Sequence, residues 1–199
     1  MTPEDYWISR GADLIGMDVL RDGFKARQAD TYEAIAQQIP SDEIVMDVGC
    51  NVGALIHFLE FLGNKGGYFG FDTNPNAIRY LEEQDVSCDI GSIRNLDTES
   101  KSYHNVVVKD VLEHLESFQL CAEAFRIATE RVILSFFMPP IPAPEIIRQT
   151  DQGYYHNRYN EREIIAFANA KGWRFQKRID TWEHGTTVMN RTYVFRPNK

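Results

Sequence analysis

Val45-Met46-Asp47-Val48-Gly49-Cys50-Asn51-Val52-Gly53 is the stretch on which the reading of this chain turns. With Ile44 before it, the run 44–48 reads as a short strand buried on both faces, since apolar residues dominate and turn residues bound it. Residues 53–62 are apolar nearly all round, as in a helix packed deep against a sheet. Between the two, Gly49 and Gly53 let the backbone turn tightly and come close to a ligand. Alone, such a strand-to-helix turn admits a nucleotide-like ligand or nothing more than a change of direction.

The same alternation continues outward. Short apolar runs predict strands at 44–48, 68–71, 86–88, 105–109 and 131–136, and helices are predicted at 53–62, at 76–84 behind Pro75, and at 118–129. Strands alternating with helices imply a Rossmann-like α/β fold, a mostly parallel sheet with helices on both faces. The run Met138-Pro139-Pro140-Ile141-Pro142-Ala143-Pro144 interrupts the pattern, because proline fits neither a helix interior nor a central strand. An irregular stretch follows to about Tyr159, then a helix at 161–171 stopped by Gly172. Two further strands, 173–179 and 187–195, joined by a turn-rich stretch around His184-Gly185, suit an antiparallel pair and bring the sheet to seven strands. Before the core, Tyr6, Trp7, Leu14, Ile15, Val19 and Leu20 suggest N-terminal helices, with another at 32–39 ending at Pro40. The expectation is one domain over 1–199, with a helical segment at 1–40 and a long loop at 137–160.

Composition narrows the class. With 43% apolar and 25% charged residues, 199 residues can bury a proper core. A formal charge of -8 argues against general nucleic-acid binding, which needs Lys and Arg to neutralise phosphates. Cys50, Cys88 and Cys121 have no metal or redox spacing and suit reduced thiols in a cytoplasmic protein. No basic stretch followed by an apolar run marks a secretion signal, and no run of 18 apolar residues predicts a membrane span.

Ligands of open parallel sheets bind beyond the carboxyl ends of the strands. Four of the predicted strands carry an acid at or near that end: Asp47, Asp72 (25 residues beyond Asp47), Asp89 and Asp110. Asp72 can hold ribose hydroxyls or cap the following helix, a role that Asn74 fills as well. Taken in order, these positions resemble the class I S-adenosylmethionine-dependent methyltransferases over roughly 43–137. The resemblance implies that Asp47, Gly49, Cys50, Asn51 and Gly53 surround the methionine half of S-adenosylmethionine. It implies that Asp72, with Thr73, meets the ribose, and that Asp89 and Ile90 meet the adenine. Asp110-Val111-Leu112-Glu113-His114-Leu115 looks like the motif after the fourth strand in small-molecule members of the quinone-biosynthesis type. One departure is Asn51, where the family usually has glycine; asparagine tolerates positive φ better than most residues.

Two rivals share the sheet. A nicotinamide-dependent oxidoreductase needs G-x-G-x-x-G to bring a helix terminus to a pyrophosphate; here the order is Gly49-x-Asn51-x-Gly53, and Asp47 adds a negative charge. A sulfonium cofactor with an ammonium group tolerates that charge. A non-catalytic cofactor-binding protein of the same fold is the other rival.

The expected reaction is methyl transfer to a small-molecule acceptor, oxygen before nitrogen or carbon. His114 is the first candidate base, because imidazole titrates near neutrality, and His156 is the second. A packing or capping role is the alternative for His114, and a plain surface loop for His156. Asp110, Glu113, His114 and His156 also offer oxygen and imidazole donors to a divalent metal, a question the sequence leaves open. In the loop, Tyr155, Arg158 and Tyr159 are the expected acceptor-binding residues, supported by Arg148, and Tyr6 and Trp7 are placed over the opposite side. On this reading Arg158→Ala weakens acceptor binding more than cofactor binding.

Overall fold

The computed structural model describes residues 3–9, 20, 22, 28–143, 147–183 and 187–198; the turn expected around His184-Gly185 lies outside them, as do Leu14, Ile15 and Val19. Among the described residues, seven strands form one sheet: β1 (Val45–Val48), β2 (Tyr68–Asp72), β3 (Cys88–Ile90), β4 (Tyr103–Lys109), β5 (Ala128–Phe136), β6 (Trp173–Glu183) and β7 (Thr187–Pro197). Their order is β3-β2-β1-β4-β5-β7-β6. β1 to β5 pair in parallel, and β7 runs antiparallel to both β5 and β6. This is the mostly parallel sheet with a C-terminal antiparallel pair that the sequence pattern predicts.

The helices are α1 (Pro3–Ser9), α2 (Ala29–Ala36), α3 (Ala54–Phe61), α4 (Pro75–Glu82), α5 (Ala122–Ile127) and α6 (Glu161–Ala170). Central strands must be apolar on both faces when helices cover both, and Val106, Val107, Val108, Val132, Ile133 and Leu134 are all buried. On one face Ile35, Leu55, Phe58 and Leu59 pack against Val45, Val107 and Ile133. On the other, Phe125, Ile164 and Ala168 join Met46, Val106 and Val132. Thr31 of α2 also shares a 2.7 Å hydroxyl–hydroxyl hydrogen bond with Thr181 of β6, tying that helix to the far edge of the sheet.

Several boundaries differ from expectation. The helix predicted over 118–129 is a 3₁₀ turn at Phe118–Cys121 followed by α5, and β5 begins at Ala128. There Lys101 Nζ donates to the Ala128 carbonyl at 2.8 Å, while Thr129 Oγ1 donates to the Tyr103 carbonyl at 3.2 Å, so pairing with β4 replaces the last helical turn. β3 starts at Cys88, because it pairs with β2 through Gly70↔Cys88 to Asp72↔Ile90. α2 starts and stops about one turn earlier than 32–39.

β1 lies between β2 and β4, which are reached by crossovers in opposite directions. That reversal opens a crevice beyond the carboxyl ends of the strands.

Candidate active site

A cavity of about 360 Å³ occupies this crevice, within the range that binds small ligands, roughly 300–1,000 Å³. Its floor is the turn after β1. Gly49 (φ 80°), Asn51 (φ 46°) and Gly53 (φ 78°) all adopt left-handed backbone. A Cβ on Gly49 would sit 2.2 Å from Cγ2 of Val111, so bare backbone is required where the loops after β1 and β4 meet. Asparagine tolerates this left-handed conformation at position 51 better than most residues. Its backbone N–H donates to Oδ2 of Asp72 at 2.8 Å, and the N–H of Asn74 donates to Oδ1 at 2.8 Å. The helix cap itself is Asn74, whose Oδ1 accepts from the N–H of Asn76 at 2.9 Å, with Pro75 at the first helical position. The capping role therefore falls to Asn74, and the Asp72 carboxylate is left facing the cavity. Burial pushes its pKa up, and the N–H groups of Asn74 and Asn51 oppose that.

The second group lies at the end of β4. Lys109 is buried, with its ammonium paired to Asp110, donating to Oε1 of Gln28 at 2.7 Å and standing 4.4 Å from the ring centre of Tyr32. Burial alone would lower its pKa, but Asp110 and Tyr32 outweigh this and hold the ammonium charged. Asp110 (φ 55°) also accepts from Nδ2 of Asn190 at 2.6 Å, so β7 orients it across the sheet. Asp47 lies behind this lining, accepting from the Tyr68 hydroxyl at 2.9 Å; burial pushes it up to about 7.

His114 stands at the other end. The Tyr155 carbonyl lies 3.1 Å from its Nδ1. A carbonyl can only accept, so Nδ1 carries the proton and Nε2 keeps its lone pair. Burial pushes the imidazole down to about 4. Ring centres of Trp7 (4.8 Å), Phe137 (5.2 Å), Tyr154 (5.6 Å) and His156 (5.6 Å) surround it. Glu113 braces this end from behind: its Oε1 accepts the N–H of Phe137 at 2.7 Å, and its carbonyl accepts the N–H of Asn157 at 2.9 Å. Its carboxyl is fully buried, which raises its pKa well above the carboxylate range, and Asp110 adds to that.

The cavity thus gathers Gly49, Asn51, Asp72, Thr73, Asp110, Val111, His114 and His156. Other expected residues lie elsewhere. Cys50 is buried, and a Cβ on Gly70 would lie 2.7 Å from its Sγ; Gly53 is bounded by Leu81 and Ile56. Asp89 is mid-strand and exposed, accepting from the N–H of Ile90, which is itself 59% exposed. The edge of the cavity there is Gly91, Ser92 and Ile93. Tyr159 is a core residue, its hydroxyl bonded to the carbonyls of Leu112 and Leu115 at 2.8 and 2.9 Å. Tyr155 contributes its backbone to His114, and neither Arg158 nor Arg148 lines the cavity. The metal grouping is also absent: among the described residues no three His, Cys, Asp or Glu side chains converge on one point. Asp110 is held by Lys109 and Asn190, and Glu113 by Phe137. Lys109, Gln28, Tyr32 and Asn190 escaped the sequence reading, because no local motif announces a lysine neutralised across the fold.

The donor set fits S-adenosylmethionine. Hydroxyl and ammonium groups need acceptors, and the cavity offers the carboxylates of Asp72 and Asp110. It also offers Oδ1 of Asn51, which is buried without a partner among the described residues. A pyrophosphate would instead meet two carboxylates and a lysine already paired. Residues 46–136 match a methyltransferase domain family. No curated protein matches the sequence. Among solved structures, magnesium protoporphyrin IX methyltransferase from Synechocystis with bound S-adenosylmethionine is similar at 16% identity, covering 100% of this chain and 98% of that one, TM-score 0.73. The 1,6-didemethyltoxoflavin-N1-methyltransferase of Burkholderia thailandensis is similar at 14% identity, covering 92% and 83%, TM-score 0.70. A methyltransferase from Mesorhizobium loti is similar at 12% identity, covering 88% and 99%, TM-score 0.68. The matched region, 46–136, contains the turn after β1, Asp72 and the His114 segment, on a sheet with the fold of these structures, and the chain carries a methyltransferase domain there.

Proposed function

We propose that this methyltransferase acts on a hydroxyl oxygen of a small molecule, with His114 as the base. The observation that carries the reading is the hydrogen bond from Nδ1 of His114 to the Tyr155 carbonyl, which leaves the Nε2 lone pair on a ring lining the cavity. The similar structures named for magnesium protoporphyrin IX and 1,6-didemethyltoxoflavin concern small molecules, which supports an acceptor of that size.

When bound, S-adenosylmethionine supplies a methyl group activated by its sulfonium. The chain supplies position and proton handling. We assign the ribose hydroxyls to Asp72, the turn at Gly49 and Asn51 to the methionine half, and Thr73, Asp110 and Val111 to the same ligand. His114 accepts a hydrogen bond from the acceptor hydroxyl, and His156 stands beside it. The whole of 1–199 is read as one catalytic domain, with the wall from Phe137 to His156 on the acceptor side.

Calorimetry with S-adenosylhomocysteine, followed by its release with hydroxyl-bearing and amine acceptors, tests the reading. Binding with turnover of hydroxyl compounds is expected; turnover of amines alone would replace oxygen with nitrogen.

A further inference from the structure

We propose that the acceptor is an uncharged aromatic ring bearing the hydroxyl that becomes methylated, received among the rings of Trp7, His114, Phe137, Tyr154 and His156. This rests on the function proposed above and narrows its substrate.

All five residues line the cavity. They come from three separate parts of the chain: α1, the turn after β4, and the stretch following β5. Their rings are in mutual contact. Trp7 and Tyr154 lie 5.8 Å apart, Phe137 and His156 5.7 Å, and Tyr154 and His156 5.3 Å, mostly tilted or edge to face. Tyr6 stacks on Tyr154 at 4.3 Å and backs the group. Rings in these orientations receive another ring through offset-stacked and edge-to-face contacts.

The charges point the same way. Among the described lining residues, Lys109 is the one lysine and there is no arginine; Lys109 is already paired with Asp110 and Gln28. Among the described lining residues an anionic acceptor finds no unpaired cation. A sugar needs hydrogen bonds around its edge, and these walls offer mainly ring faces.

The acidity of the acceptor hydroxyl separates the hydroxyl classes. Burial leaves His114 with a pKa of about 4. A phenolic hydroxyl titrates at about 10, and an alkanol is near water at roughly 16. Proton transfer to His114 is therefore roughly a million-fold less favourable from an alkanol than from a phenol. In the step itself the hydroxyl oxygen bonds to the methyl carbon. The carbon–sulfur bond breaks with its electron pair staying on sulfur. The hydroxyl proton passes to Nε2 of His114 and then to water. The products are an aryl methyl ether, S-adenosylhomocysteine and a proton.

The test presents naphthol and phenol beside methyl glucoside, hexanoate and hexylamine. With S-adenosylhomocysteine bound, tryptophan fluorescence reads acceptor binding; with S-adenosylmethionine, product release reads turnover. Saturable quenching and turnover by naphthol are expected, with Phe137→Leu raising its KM roughly threefold to tenfold and leaving kcat within about twofold. Trp7→Phe should remove most of the quenching. Preference for glucoside, hexanoate or hexylamine overturns the inference. So does failure of naphthol and phenol to bind while S-adenosylhomocysteine binds. Absence of S-adenosylhomocysteine binding overturns the proposed function, and the inference with it.

Discussion

His114 and Tyr155 bond to each other twice: the Tyr155 N–H donates to the His114 carbonyl at 3.2 Å, and Nδ1 of His114 donates to the Tyr155 carbonyl at 3.1 Å. The exchange closes a small ring between the turn after β4 and the loop from β5, and it fixes both the tautomer and the tilt of the imidazole. A base held in one tautomer contributes about 10²–10⁴-fold to a reaction that requires proton transfer. His114→Asn should therefore lower kcat by roughly that factor while leaving S-adenosylhomocysteine affinity within about threefold. Initial rates and calorimetry on the same preparation check it.

The same residue makes stability depend on pH. The folded imidazole titrates at about 4, below its ordinary 6.5. Between these values the unfolded chain binds the proton and the folded one does not. The stability that neutral His114 contributes is whole above 6.5 and is lost as pH falls through 4. Urea unfolding of His114→Asn should show a shallower loss over that window than the parent; parallel curves would remove His114 as the cause.

Glu113 works with the opposite sign. Its folded pKa is raised, so its contribution is present at low pH and is lost as pH climbs above the ordinary carboxylate range. Glu113→Gln keeps an acceptor for the Phe137 N–H without a titrating proton, and its stability should stay flatter toward alkaline pH. Glu113→Ala leaves that buried N–H unpaired, which costs about 1–3 kcal/mol. Thermal unfolding of both variants across pH separates charge from packing.

Asp72 carries two backbone hydrogen bonds and still faces the cavity. Asp72→Asn should weaken S-adenosylhomocysteine binding by about 1.5–3 kcal/mol, the range for hydrogen bonds to a charged group. 5′-Methylthioadenosine, which keeps the ribose but lacks the amino acid, should lose a similar amount. A loss confined to S-adenosylhomocysteine would move Asp72 away from the ribose.

Gly49→Ala forces a methyl into Val111 at 2.2 Å and places alanine at φ 80°. Backbone strain alone costs roughly 1–3 kcal/mol. Adding Val111→Ala should recover the clash but not the strain, so denaturant midpoints should rank parent, double variant, single variant.

How much was legible follows from where each residue sits. Asp47, Gly49, Asn51, Asp72 and Asp110 could be located because the short apolar runs of β1, β2 and β4 are bounded by turn and acidic residues. β3 has three residues on the sheet edge, too few for a period to show, so the sequence points to Asp89 and Ile90 while Gly91 to Ile93 edge the cavity. The loop after β5 was the larger loss. Its prolines marked an interruption, but Asn157 decides its path by donating to the Leu115 carbonyl at 2.7 Å, and Tyr159 by entering the core. Those bonds join residues some forty positions apart, beyond any local pattern.

The amino-acid sequence by itself determined the sheet, its helices and the glycine turn at Val45 to Gly53, because apolar periodicity and backbone sterics act over neighbouring residues. Tertiary structure alone decided the rest of the site. It brought Gln28, Tyr32, Lys109 and Asn190 around Asp110, and it gathered rings from α1 and from the loop after β5 around His114. Burial shifted Glu113 and His114, and the neighbours Asp110 and Tyr32 outweighed it at Lys109; both are properties of the whole fold.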